Sequence, residues 1–185
     1  ILFVSMQASD TTGMMELRTL ADWVVKPAIL ATGGVAQVTV IGGDVKEYQV
    51  LADAARMQAY GVTMDELAAA VEGMSQNSTG GVVREYGNEY ALRGMGRTSD
   101  LADMASTLVK NTGSQPVTVG DVAQVRIGSA VRMGMASRNG QPAVILSISK
   151  QPSINTLDVT EQIERNLQDI QKSLPADVHL DTHVF

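Results

Sequence analysis

Apolar and polar positions follow two rhythms along this chain, and the order of those rhythms predicts a mixed α+β fold. Residues 1–8 are mostly apolar and predict a buried strand, closed by the polar run Ser9-Asp10-Thr11-Thr12-Gly13. From Glu16 onward, Leu17, Leu20, Val24 and Ile29 recur at helical spacing. They predict a helix that Pro27 kinks or shortens and that Gly33-Gly34 ends. Val35, Val38, Val40 and Ile41 then form a β-branched run up to Gly42-Gly43. The last third repeats the order. A strand over 143–149 precedes a helix over 155–174, with Val159, Ile163, Leu167, Ile170 and Leu174 on one face. Pro175 stops that helix, and residues 178–184 supply a final strand. Two strand-helix-strand units with their helices on one face of a sheet make the split βαβ, ferredoxin-like plan.

The middle third reads as a separate, smaller α+β subdomain. A strand over 45–51 leads through Asp53 into a short helix, and Thr63 with Glu66 forms a capping-box signature for a second one. Residues 76–81 are a polar, glycine-rich loop, and 82–86 with 89–93 flank Gly87-Asn88 as a hairpin. Ser99 starts a further short helix, and strands over 107–110, 116–119 and 122–127 complete the insert. The predicted organisation is one discontinuous subdomain, residues 1–44 with 130–185, interrupted by an insert of residues 45–129.

Composition narrows the function more than the fold. Among 185 residues, 44% are hydrophobic and 18% charged, which supports a packed core. Fourteen Lys and Arg against 20 Asp and Glu give a net charge of −6, and no basic run or aromatic cluster marks a nucleic-acid surface. Cysteine is absent, which removes disulfides, thiolate zinc sites and cysteine nucleophiles. No apolar stretch reaches the roughly 18 residues of a membrane helix. The chain opens and closes inside apolar runs, at Ile1 and Phe185, and so reads as a domain cut from a larger protein.

Catalytic motifs are missing. There is no HExxH, GxSxG or Walker loop, and Gly94-Met95-Gly96-Arg97-Thr98-Ser99 lacks the third glycine of a dinucleotide fingerprint. Asp177, His179, Asp181 and His183 alternate along the last predicted strand and share a face. Neighbours there stand about 6.6 Å apart at Cα, which suits one His and one Asp on a metal ion, while the two histidines are about 13 Å apart. A solvated or partner-facing strand face is the plainer reading. Methionine is abundant, with ten residues including Met14-Met15, Met133 and Met135. Thioether sulfur is a soft ligand that prefers Cu(I) or Ag(I), and Met133 and Met135 on a strand would point the same way. Methionine also fills cores and interfaces, the role expected of Met57, Met64, Met74 and Met104 at helical spacing. The two roles stay open for Met133 and Met135.

Several ordered stretches carry a resemblance. They are Leu20-Ala21-Asp22-Trp23-Val24-Val25-Lys26-Pro27, residues 34–43 (GVAQVTVIGG) and Lys46-Glu47-Tyr48-Gln49-Val50. Tyr60-Gly61-Val62-Thr63, residues 89–94 (EYALRG), residues 119–128 (VGDVAQVRIG), Asn139-Gly140-Gln141 and Ser173-Leu174-Pro175 follow in register. Together they resemble the heavy-metal-type resistance-nodulation-division efflux permeases over essentially the whole chain. The resemblance implies a periplasmic segment of a Gram-negative inner-membrane pump, between its first and second membrane helices. It implies a porter subdomain interrupted by half of a docking domain, and a proton-driven homotrimer. It also implies a periplasmic adaptor and an outer-membrane channel as partners. The hairpin arm, residues 75–95, is implied to reach into the next protomer. The proton relay and main substrate cleft are implied to lie outside these residues.

The resulting expectation is a non-enzymatic part of a cation pump exporting heavy metal ions, Cu(I) or Ag(I) in preference to zinc, cobalt or cadmium, with no cofactor and with Met133 and Met135 as candidate metal ligands. The alternatives are a segment of the drug-exporting branch, for which one Trp and two Phe offer little aromatic lining, and a stand-alone ferredoxin-like module binding a metal or other ligand.

Overall fold

The computed structural model describes residues 2–75, 79–85, 88–93, 100–111, 115–132 and 134–182. They fall into two compact units, Ile1–Glu47 with Gly128–Phe185, and Tyr48–Ile127. Each unit has its own core, and the architecture is mixed α+β as the hydrophobic rhythms predict.

The first unit opens with β1 (Leu2–Ala8), followed by α1 (Met14–Leu20), a π-helical turn (Ala21–Val25), α2 (Lys26–Leu30) and β2 (Val35–Ile41). The disturbance expected at Pro27 takes the form of this π-helical turn. Lacking an N–H, Pro27 cannot extend a regular α ladder, and the chain widens by one residue just before it. The Lys26 N–H reaches back to Ala21 O, and the helix then continues through the proline to Leu30.

The second unit follows. β3 (Lys46–Ala52) leads to α3 (Ala54–Tyr60), capped by Asp53, which accepts from the N–H groups of Ala55 at 3.0 Å and Arg56 at 3.1 Å. α4 (Met64–Ser75) starts on the predicted capping box. Thr63 N donates to Glu66 Oε2 at 2.8 Å, and Glu66 N donates to Thr63 Oγ1 at 3.3 Å. The Thr63 amide, aided by the Lys110 ammonium, holds the Glu66 carboxyl below its ordinary pKa. β4 (Thr79–Glu85) and β5 (Asn88–Arg93) form the predicted antiparallel hairpin, with Glu85 opposite Asn88. Since β4 begins at Thr79, the last three positions of the loop expected over 76–81 are strand; Gln76, Asn77 and Ser78 lie outside the described residues, as do Tyr86 and Gly87.

α5 (Leu101–Ser106) is capped by Asp100, while Ser99, the expected start, is also outside the described residues. β6 (Leu108–Asn111) pairs with β7 (Pro116–Thr118). A helical turn, α6 (Val119–Val122), then separates β7 from β8 (Ala123–Ser129), where the apolar pattern alone predicts strand up to Val119 and again from Val122. The cause is a second capping box: Thr118 N donates to Asp121 Oδ2 at 2.8 Å and drives that carboxyl's pKa down. β3 pairs with β8. Met57, Val62, Leu67, Val117, Val119 and Val122 form this unit's core, with Met74 packed against it. Met104 is buried as expected, but Met64 is 59% exposed, because the first residue of α4 lies beyond the end of that core.

The chain re-enters the first unit through β9 (Ala136–Arg138), β10 (Gln141–Lys150), α7 (Thr156–Ser173) and β11 (Val178–Asp181). The four main strands order as β11-β1-β10-β2, every neighbouring pair antiparallel, and β9 pairs with the start of β10. Leu17, Val25 and Ile29 from the first helical stretch and Val159, Ile163 and Leu167 from α7 join Val4, Met6, Val144 and Leu146 of the sheet in one core. Among the described residues no helix is long and apolar enough to cross a membrane.

Candidate functional site

β2 ends at Ile41, and Gly42, Gly43 and Asp44 turn the chain away from the sheet. Both glycines have positive φ, 83° and 72°. A Cβ on Gly42 would lie 2.6 Å from Ala143 O, and one on Gly43 would lie 2.7 Å from Arg18 Cβ and 2.9 Å from Val144 Cγ2. Only glycine satisfies both the backbone conformation and the space. Arg18, on α1, donates through Nη1 to Gly42 O at 2.6 Å and through Nε to Asp22 Oδ2 at 2.8 Å, pinning the turn to the helix.

Asp44 is gripped from the returning chain. Arg132 donates through Nε to Asp44 Oδ1 at 2.6 Å and through Nη2 to Oδ2 at 3.2 Å, a two-pronged pair that raises the guanidinium pKa. Beside it, the Ala130 N–H donates to Val45 O at 2.9 Å. A cavity of about 420 Å³ opens here, lined by Met14, Asp44, Arg132, Met135 and Pro142 among others. A second, of about 310 Å³, shares Gly43 and Arg132 and extends to Ile41 and Val131.

The predicted site residues fall differently from the spacing argument. Met135 lines the larger cavity and is 79% exposed, whereas Met133 lies outside the described residues. The methionine that shares Met135's cavity is Met14, far away in sequence. Linear spacing carries no signal for that pair, nor for Asp44 with Arg132. Two methionines thus line the same cavity as a carboxylate already paired with an arginine, and Met14 also packs against the core.

The alternating acidic and histidine face is largely committed elsewhere. Asp177 precedes β11, and its carboxylate accepts from Thr12 N at 2.8 Å and Thr12 Oγ1 at 2.9 Å. These bonds, the amide's foremost, lower its pKa. Asp181 pairs with Arg138, His179 is exposed opposite Gln7, and His183 is outside the described residues. Among the described residues no group of three or more His, Asp or Glu is placed to hold a metal ion.

Comparison with known proteins matches residues 1–184 to the AcrB/AcrD/AcrF family. The nickel-cobalt-cadmium resistance protein NccA of Alcaligenes xylosoxydans xylosoxydans is 36% identical over 88% of this chain and 15% of its own length. The cation efflux system protein CusA of Escherichia coli K12 is 33% identical over 91% of this chain and 16% of its own length. The cobalt-zinc-cadmium resistance protein CzcA of Cupriavidus metallidurans is 28% identical over 90% of this chain and 16% of its own length. The chain thus spans about one-sixth of the length of these curated relatives. A match over nearly every residue, in the order of the sequence blocks quoted above, places the chain in the AcrB/AcrD/AcrF family, among its heavy-metal resistance-nodulation-division members.

Proposed function

We propose that the chain is the periplasmic porter and docking segment of a proton-driven inner-membrane permease that exports heavy metal cations. In this reading residues 1–44 and 130–185 are the porter subdomain and residues 45–129 the docking insert. The strand order β11-β1-β10-β2, with the first helical stretch and α7 packed into one core with it, supports a split βαβ porter. The segment works in a homotrimer, beside an adaptor protein and below an outer-membrane channel. Its contribution is conformational: packed subdomains tilt during the cycle, which requires no catalytic side chain.

The observation that carries the substrate reading is the cavity shared by Met14 and Met135. Its thioethers suit Cu(I) or Ag(I), and its carboxylate, Asp44, is held by Arg132 and so is a poor ligand for harder ions. Met133 belongs to the same proposal as a neighbouring ligand. Relatives named for nickel, cobalt and cadmium resistance favour a second reading, export of divalent ions. Deleting the complete gene and measuring growth inhibition by silver, copper, nickel, cobalt, zinc, cadmium and hydrophobic drugs separates the two. Hypersensitivity confined to silver and copper supports the soft-ion pump. Sensitivity only to divalent ions removes the thioether argument, and sensitivity only to drugs removes the metal reading altogether.

A further inference from the structure

The sheet of the first unit has two edges, and they are finished differently. At the β11 edge the Gln171 carboxamide reaches over from α7, donating through Nε2 to Val178 O at 2.7 Å and accepting from Leu180 N at 2.9 Å. An added strand would use those same main-chain groups, so the side chain takes a strand's place and closes the edge.

At the opposite edge, among the described residues, the main chain of Ala36–Ile41 makes no hydrogen bond except to β10. β2 is seven residues long, with five of them β-branched, no charge and no proline. Its one irregularity of register falls at its start, between Ser149 and Lys150 of the partner, leaving Gln37 to Ile41 in continuous pairing. Over Gln37 to Thr39 the devices that usually blunt an edge, whether charge, proline, bulge or a side chain bonded to the main chain, are missing among the described residues. Beyond them Val40 and Ile41 border the smaller cavity, which Arg18, Val131 and Arg132 also line.

We infer that the β2 edge is completed by an extended segment of the same polypeptide lying outside these 185 residues. The inference rests on the reading above, that the chain is one portion of a longer permease; its curated relatives have most of their length elsewhere. The incoming strand carries apolar side chains opposite Val38 and Val40, which face the core, and polar ones opposite Gln37 and Thr39. A second copy fits less well, since pairing two β2 edges closes a two-fold dimer between chains that each carry a net charge of −6.

The test is hydrogen exchange at single-residue resolution in the full-length protein. A strand paired on one side has amides that alternate between bonded and open, so alternating slow and fast exchange across Ala36–Val40 would overturn the inference. Uniformly slow exchange is the expected result. A photoreactive crosslinker on Thr39→Cys, repeated on Gln37→Cys in case one variant fails to fold, then identifies the occupant. The expected adduct is a peptide of the same polypeptide outside these residues; an adduct with another copy's β2, with a different protein, or with nothing overturns it. Any of those failures leaves the export reading untouched, because the ion sensitivity of the deletion strain decides that separately.

Discussion

Asp44 and Arg132 stand 88 positions apart in sequence, yet their side chains meet in a two-pronged ion pair where the chain leaves the first unit and returns to it. The Asp44 side chain is 18% exposed and that of Arg132 is 59% exposed, so the pair is only partly shielded. Asp44→Asn and Arg132→Gln are each expected to lower the urea midpoint slightly, and the double variant to be no worse than the worse single one. The effect should shrink in 1 M salt, as screening of a surface pair requires. A double-mutant cycle at two salt concentrations checks this, and additive, salt-independent losses would contradict it.

Gly42→Ala should cost more than the ion pair. Its φ of 83° is unfavourable for any side chain, and the new Cβ would sit 2.6 Å from a carbonyl oxygen. Conformation alone costs about 1–2 kcal/mol, and the clash adds to it. Denaturant titration of the variant gives the figure directly; a loss within measurement error would mean that the turn can relax.

Core truncation sets the upper scale. Leu146 is fully buried among residues of both helical faces, and Leu146→Ala is expected to destabilise the chain by about 2–5 kcal/mol. The same denaturant measurement applies, and a cost below 1 kcal/mol would be inconsistent with a packed core at that position.

Asp177 should contribute to acid sensitivity. Its folded pKa is lowered from the ordinary 3.8 by the Thr12 amide and hydroxyl, so at acidic pH the unfolded chain binds the proton first. The stabilisation is therefore present in full above the ordinary value and lost as pH falls through the lower folded one. Asp177→Asn should flatten the fall in stability below about pH 4 and lower stability at neutral pH. Urea midpoints for both proteins between pH 2.5 and 7 test it, and parallel curves would remove Asp177 from the account.

If the larger cavity handles soft ions, Met14→Leu with Met135→Leu should reduce silver and copper resistance in the complemented deletion strain while leaving protein level unchanged. Leucine keeps the volume and removes the sulfur. Unchanged resistance would leave both methionines as packing residues.

Local order was readable in the amino-acid sequence wherever a single segment decides its own conformation. The apolar stripe of α7, the Thr63/Glu66 capping box and the β-branched run of β2 all predict their elements, because the deciding interactions lie within a few residues. Even Asp121, three positions after Thr118, carried a local signal for α6, which the apolar alternation around it obscured. The family, too, was legible in the ordered blocks from Leu20 to Pro175. The passage of a helix through Pro27 was decided by tertiary packing, since burying Val25 and Ile29 together outweighs one irregular turn. The lining of one cavity by Met14 and Met135, the grip of Arg132 on Asp44 and the closure of one sheet edge by Gln171 are likewise products of the fold. Each brings together residues of different elements through space, and no spacing along the chain records which elements will be neighbours.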